Sequence, residues 1–384
     1  MEPNALGLIH LWRPSRSLVA SVICLLGFEV ACGSAPLEAY GPQVPSAVAQ
    51  STGAIVCTDV AAKLLAASTP SDQLRLAECF ERNGRLGDAL RLVAKLEQDY
   101  FDDADLMRAV SERAQSLIQQ RVPVSGLPAR LELQESPIPL PMVRGRIAES
   151  EGLFVWDSGA ETTGIDQTLC SKLGLKTFGN TRIDNATGAT RSGTRVGILD
   201  QTLVLGSVEV RVASVLCLDL SDARAVDPKL LGIIGGNVLR SSPYQLNLKG
   251  RWIDFGGAIP SNLIRLKSTF TASSPYVWAD LDGHSVRFLL DTGSVDSTVS
   301  EATVADLGVT ATSLGTVSSR VVAGGRMERD LKVISVSRFS SGQERRRDVQ
   351  LTVEALNLLG GDFLGDRTLI VDHDSDLIAF TSDF

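Results

Sequence analysis

Phe288-Leu289-Leu290-Asp291-Thr292-Gly293-Ser294-Val295-Asp296-Ser297-Thr298 decides how this 384-residue chain is read, because the pattern occurs twice. Its earlier counterpart is Phe154-Val155-Trp156-Asp157-Ser158-Gly159-Ala160-Glu161-Thr162-Thr163. An apolar run ending in an acid, a hydroxyl residue and a glycine reads as a buried strand that enters a tight turn. The glycine removes a Cβ where the chain turns sharply, and the Ser158 or Thr292 hydroxyl can tie the turn to a facing lobe. One such tripeptide is a weak signal, since loops contain many. Here two more landmarks repeat in the same order. Gly232-Ile233-Ile234-Gly235-Gly236-Asn237-Val238-Leu239 is answered by Asn357-Leu358-Leu359-Gly360-Gly361-Asp362-Phe363-Leu364, and hairpins over 244–255 and 369–380 close the copies. The chain therefore reads as an internal duplication with a boundary near Ser261.

Around this core the texture changes. Beyond Pro123, short β-branched runs broken by Gly, Asn, Asp and Ser predict an all-β region. Between Cys57 and Val122 the apolar period is helical, with faces at Val60, Leu64 and Leu65, at Leu74, Leu76, Ala77 and Phe80, at Ala89, Leu90, Leu92, Val93 and Leu96, and from Leu106 to Ile118. Ala77 to Leu96 looks like one tetratricopeptide-type hairpin, too little for a repeat array, so a small cap or docking domain is expected. The layout is a leader over 1–34, a Pro/Ala/Gly/Ser-rich linker over 35–56, the helical domain over 57–122, and lobes over 123–261 and 262–384. Arg345, Arg346 and Arg347 are read as a solvated hairpin loop.

At the N-terminus, Arg13 and Arg16 precede an apolar stretch from Leu18 to Phe28 and small residues around Cys32, the layout of a secretory signal. The stretch is short for a membrane span, which needs about 20 residues, so cleavage is expected. Cys32-Gly33-Ser34 resembles a bacterial lipoprotein cleavage site, although Glu29 departs from it. A lipidated Cys32 tethered to the membrane and simple secretion stay open, both consistent with a bacterial envelope, periplasmic or secreted location. Of six cysteines, Cys57, Cys79, Cys170 and Cys217 allow three pairings, and locality favours Cys57 with Cys79 and Cys170 with Cys217. No CxxC pair argues for a zinc or redox site, and a net charge of −8 argues against nucleic acid as a partner.

If the two lobes face each other about an approximate dyad, Asp157 and Asp291 meet. Two carboxylates in contact cannot both ionise at ordinary cost, so they share a proton. The ionised one can then activate a water while the protonated one donates to the carbonyl of a scissile amide, with no metal or cofactor required. At these residues the chain resembles the retropepsin-like aspartic peptidase family. The resemblance runs from about Ala129 to Phe384 and implies a mainly β fold: two retropepsin-like, acid-protease β-barrel lobes in pseudo-two-fold arrangement, preceded by a small α-helical domain. It implies Asp157 and Asp291 as the catalytic pair, supporting turns at Ser158, Gly159, Thr292 and Gly293, and apolar-Gly motifs at Gly235 and Gly360 packed behind them. It also implies glycine-bearing flaps at Ala186-Thr187-Gly188-Ala189 and Val322-Ala323-Gly324-Gly325. Trp156 is bulkier than the aliphatic residue usual in the family, and Asn237 stands where the second lobe has Asp362.

A serine hydrolase reading lacks its Gly-x-Ser-x-Gly elbow and has only His284 and His373 as bases in the mature chain, both in hairpin-turn contexts. The expectation is thus an aspartic endopeptidase acting as a monomer on peptide or protein substrates. A catalytically silent envelope peptide binder and a scaffold of the same fold are the alternatives.

Overall fold

The computed structural model describes residues 69–184, 190–199, 201–321 and 325–382. The leader, the linker, Cys32, Cys57 and the face marked by Val60, Leu64 and Leu65 lie outside these residues. So do the flap positions Gly188 and Gly324.

Three helices open the described chain: Pro70–Arg82, Leu86–Asp99 and Ala104–Ile118. The first starts at a capping box, Thr69 with Asp72, with Pro70 in the first turn where its missing N–H is harmless. Gly84, at φ +70°, makes the turn into the second helix, and the Asp103 carboxylate caps the third by accepting from Leu106 N at 3.0 Å. Leu76, Ala77, Phe80, Ala89, Leu90, Val93 and Leu96 are buried at helical spacing. Their core does not stop at the helices. It is continuous with Phe178, Val196, Leu216 and Ile233 of the first β lobe.

Each lobe is a curled sheet. In the first, the strand order is 124–125, 208–210, 203–205, 142–147, 150–156, 230–234, 164–166, 214–218, 190–198 and 177–184. In the second it is 267–271, 274–281, 284–290, 358–359, 298–300, 344–354, 325–341 and 312–321, and pairing of Asp280 with Ser340 and Leu281 with Phe339 joins strand 274–281 to strand 325–341. The strand before the Asp157-Ser158-Gly159 turn is buried on both faces. Side-chain alternation sends Phe154 and Trp156 into the lobe core, and Leu153 and Val155 toward the face shared with the helices. Cys170 and Cys217 are joined by a disulfide.

A third sheet unites the lobes. Its order is 263–265, 377–381, 368–372, 244–247, 252–255 and 129–132, three strands from each half. The inner strands run antiparallel, Tyr244 opposite Val371 and Leu246 opposite Leu369, which sets a local two-fold axis between the halves. Apolar side chains from both lobes form one core through it, including Leu246, Ile253, Leu369 and Phe380.

One expectation fails. Arg345, Arg346 and Arg347 lie within strand Glu344–Glu354 rather than in a loop. Arg346 stacks over Phe363 at 3.9 Å and bonds the buried Glu344 carboxylate at 2.8 Å, which gives this charge a packed, paired site. Only the Gly342-Gln343 turn is left to connect the strands.

Candidate active site

Strand Leu230–Ile234 lies parallel to Ser150–Trp156, with Ile234 opposite Trp156, and antiparallel to Gly164–Asp166. Leu358–Leu359 repeats this in the second lobe, with Leu359 opposite Leu290. The N–H groups of Asp157 and Asp291 accordingly donate to the carbonyls of Ile234 (3.1 Å) and Leu359 (2.9 Å). The glycines that end these strands permit close approach. A Cβ at Gly235 would stand 2.5 Å from the Thr162 carbonyl carbon, and one at Gly360 would stand 2.5 Å from the Asp296 carbonyl oxygen. Just after each glycine, Asn237 and Asp362 perform the same task. The Asn237 Oδ1 accepts from the Thr163 hydroxyl at 2.8 Å, and the Asp362 Oδ1 from the Ser297 hydroxyl at 2.6 Å.

The two turns grip one another across the dyad. Ser158 N–H donates to the Thr292 hydroxyl (3.0 Å), which donates to the Trp156 carbonyl (2.6 Å). Reciprocally, Thr292 N–H donates to the Ser158 hydroxyl (3.0 Å), which donates to the Leu290 carbonyl (2.7 Å). All four partners are buried, so each bond is shielded from competing water.

This grip brings Asp157 and Asp291 into contact, at 0% and 1% exposure. Each carboxyl sits over the glycine of the opposite turn: a Cβ at Gly159 would be 2.5 Å from Asp291 Cγ, and Gly293 is equally tight against Asp157. Backbone donors orient them. Asp157 Oδ1 accepts from Gly159 N (2.8 Å) and Ala160 N (3.0 Å), and Asp291 Oδ1 from Gly293 N (2.8 Å). The remaining oxygens, both Oδ2, are buried without another partner. Carboxylate oxygens are acceptors, and the contact between the two carboxyls becomes a hydrogen bond only when one of them carries a proton. Burial pushes Asp157 up to about 7. Burial and then the charge of Asp157 hold Asp291 well above the usual carboxylate range. The pair can therefore share one proton while a single carboxyl is ionised.

Trp156 is fully buried and turned away from the carboxyls, its ring edge-on to Tyr244 (5.5 Å) and Phe255 (5.2 Å). Its bulk fills the lobe core and leaves the dyad paired. Between the two landmarks of each lobe stand antiparallel strand pairs, Thr177–Asp184 with Thr190–Ile198, and Thr312–Val321 with Gly325–Ser341. Gly325 begins a strand, opposite Val321. His373 lies in the turn of the closing hairpin against Phe270 at 4.4 Å, and burial pushes it down to about 4.

The sequence reading did not foresee the contacts of Glu161, buried beside the Asp157-Ser158-Gly159 turn. It touches Gln119 of the helical segment and Ser274 of the second lobe. Partners 42 and 113 positions away leave no local pattern from which to find them.

An aspartyl protease family profile matches this chain twice, over residues 143–238 and 277–363, once in each lobe around its Asp-Ser/Thr-Gly turn and glycine motif. Among solved structures the chain is similar to a retropepsin-like aspartic protease from Rickettsia conorii, at 19% identity over 31% of this chain and 89% of that one, with a TM-score of 0.25. No curated protein matches the chain.

Proposed function

We propose that this chain, a member of the aspartyl protease family that carries the family domain twice, is an endopeptidase whose catalytic residues are Asp157 and Asp291. The observation that carries the reading is the contact of two buried carboxyls, one from each lobe, in surroundings that favour a single shared proton. Ionised Asp157 takes a proton from water as the oxygen attacks the peptide carbonyl carbon, and Asp291 gives its proton to the carbonyl oxygen. In the collapse of the resulting diol, the C–N bond breaks, the leaving nitrogen takes the proton from Asp157, and Asp291 regains one from a diol hydroxyl. The hydroxyl grip and the backbone donors hold both carboxyls in place, so little reorganisation accompanies reaction.

Because both halves of the site come from one chain, the proposal includes an active monomer. It also includes export to the bacterial envelope, on the basis of the leader-like N-terminus. Peptide cleavage by the wild type, abolished in Asp157→Ala and in Asp291→Ala with unchanged circular dichroism, is the expected result. Peptide affinity without turnover in the wild type would favour a silent binder, and no affinity at all would leave a scaffold.

A further inference from the structure

We infer that Glu161 is a positioning residue through which the helical segment steadies the first catalytic turn, making helices 70–118 part of the working enzyme. The inference rests on the peptidase reading above.

Segment 118–122 is stitched along the first lobe. Val122 N–H donates to the Asn237 carbonyl (3.0 Å), and the Ser241 hydroxyl donates to the Val122 carbonyl (2.7 Å). Arg240 donates to the Gln119 carbonyl. Arg121 reaches the Ser241 carbonyl (2.8 Å) and holds Asp374 of the second lobe with two bonds (2.8 and 3.1 Å). Within this seam the Gln119 side-chain amide donates to Glu161 Oε2 at 2.5 Å. Glu161 is 7% exposed. Its other oxygen accepts from the Ser274 hydroxyl at 3.4 Å, and its carbonyl accepts from Asn237 N (3.0 Å) and the Ser273 hydroxyl (3.3 Å). One side chain thus touches the helical segment and the second lobe, while its backbone is bonded to the glycine motif behind the dyad.

The catalytic turn is adjacent. Ala160, whose N–H holds Asp157 Oδ1, is the residue before Glu161. The second lobe makes the same backbone bonds, Gly361 N to Ser294 and Asp362 N to Val295, but has apolar Val295 in place of Glu161. A buried carboxyl is retained against its desolvation cost only where it is bonded, and here its shortest bond goes to the helical segment. Two further ties make that segment more than a tether. Glu97 accepts from Gly179 N (2.5 Å) on one strand of the first-lobe hairpin and pairs with Arg195 (3.6 Å) on the other. The helical core is also continuous with Val155, on the strand that leads to Asp157.

The test uses the full-length chain with Glu161→Ala, Glu161→Gln, Gln119→Ala and the double alanine variant. Its readouts are kcat and KM on a fluorogenic peptide substrate and amide hydrogen exchange over residues 158–163. Glu161→Ala and Gln119→Ala are each expected to lower kcat about tenfold with KM within about twofold, less than the roughly hundredfold loss from a 1 Å misplacement. Glu161→Gln, whose amide oxygen still accepts from Gln119, should recover the rate. The double variant should be no slower than Glu161→Ala alone, and exchange should quicken in the alanine variants only. Unchanged kcat and exchange in both single alanine variants would overturn the inference, as would a faster enzyme in Gln119→Ala, which would make the helical segment a restraint. If Glu161→Ala does not fold, Gln119→Ala decides. If the wild type cleaves nothing, the peptidase reading falls, and the exchange data still settle whether Glu161 positions the turn.

Discussion

Replacing Gly159 with alanine adds one methyl group to the Asp157-Ser158-Gly159 turn and aims it at the Asp291 carboxyl of the other lobe. The new Cβ would lie 2.5 Å from Asp291 Cγ and Oδ1, where ordinary contact begins at 3.4 Å, so the carboxyl must retreat by about 0.9 Å. Retreat is opposed by the Gly293 N–H bond at 2.8 Å and by the grip between Ser158 and Thr292. Gly159 does not adopt a positive φ, so the backbone itself accepts alanine and the effect is steric. A displacement of this size predicts a loss of roughly a hundredfold in kcat/KM, with an overpacking cost of about 1–3 kcal/mol in stability. The assay is turnover of a fluorogenic peptide beside thermal melting. Gly174→Ala serves as the control: its φ of +62° strains the backbone, but nothing lies within 4 Å of the added methyl. It should lower stability and leave turnover intact. A Gly159→Ala enzyme that melts like the wild type and keeps kcat/KM within about tenfold would refute this steric account of the dyad.

Three further outcomes are expected. With burial pushing Asp157 up to about 7 and Asp291 well above the usual carboxylate range, kcat/KM should climb toward neutrality as the pair loses its first proton and fall when it loses the second. A rate profile whose acid limb sits in the ordinary carboxylic range would contradict that reading. Burial pushes Glu161 up to about 7 from 4.5, so between those values the unfolded chain has lost a proton that the folded chain keeps. Its contribution to stability is therefore full below about pH 4.5, falls as pH rises to about 7, and is level above, a swing of about 3 kcal/mol. Denaturant melts at several pH values should show that swing in the wild type and its loss in Glu161→Gln. Finally, replacing Cys170 and Cys217 with serine frees a link spanning 47 residues and should lower stability by roughly 2–4 kcal/mol under oxidising conditions, with turnover retained. An unchanged melting temperature would count against a structural role for this bridge.

Much of the fold was legible because its signals are local and repeated. The strand-to-turn pattern before Asp157 and Asp291, the glycine motifs and the closing hairpins each carry their geometry in a few adjacent residues. The helices were legible from period and punctuation, as the burial of Leu76, Ala77, Phe80 and the set around Leu90 bears out. The arginine run was misread because charge suggests solvent, whereas Phe363 and Glu344 supply a stacked and paired site from other strands. The reason for the bulky Trp156 was not legible, because its neighbours Tyr244 and Phe255 come from a strand pair far along the chain.

By itself the sequence determined that two similar β lobes follow a helical segment, and which acid in each lobe ends the buried strand, since apolar period and turn chemistry act over neighbouring residues. Only the tertiary structure decided that those acids touch, that Ser158 and Thr292 exchange hydrogen bonds, and that Glu161 joins three parts of the molecule. These contacts depend on the shared six-stranded sheet and on burial, which set distance and proton affinity between groups that chain order leaves apart.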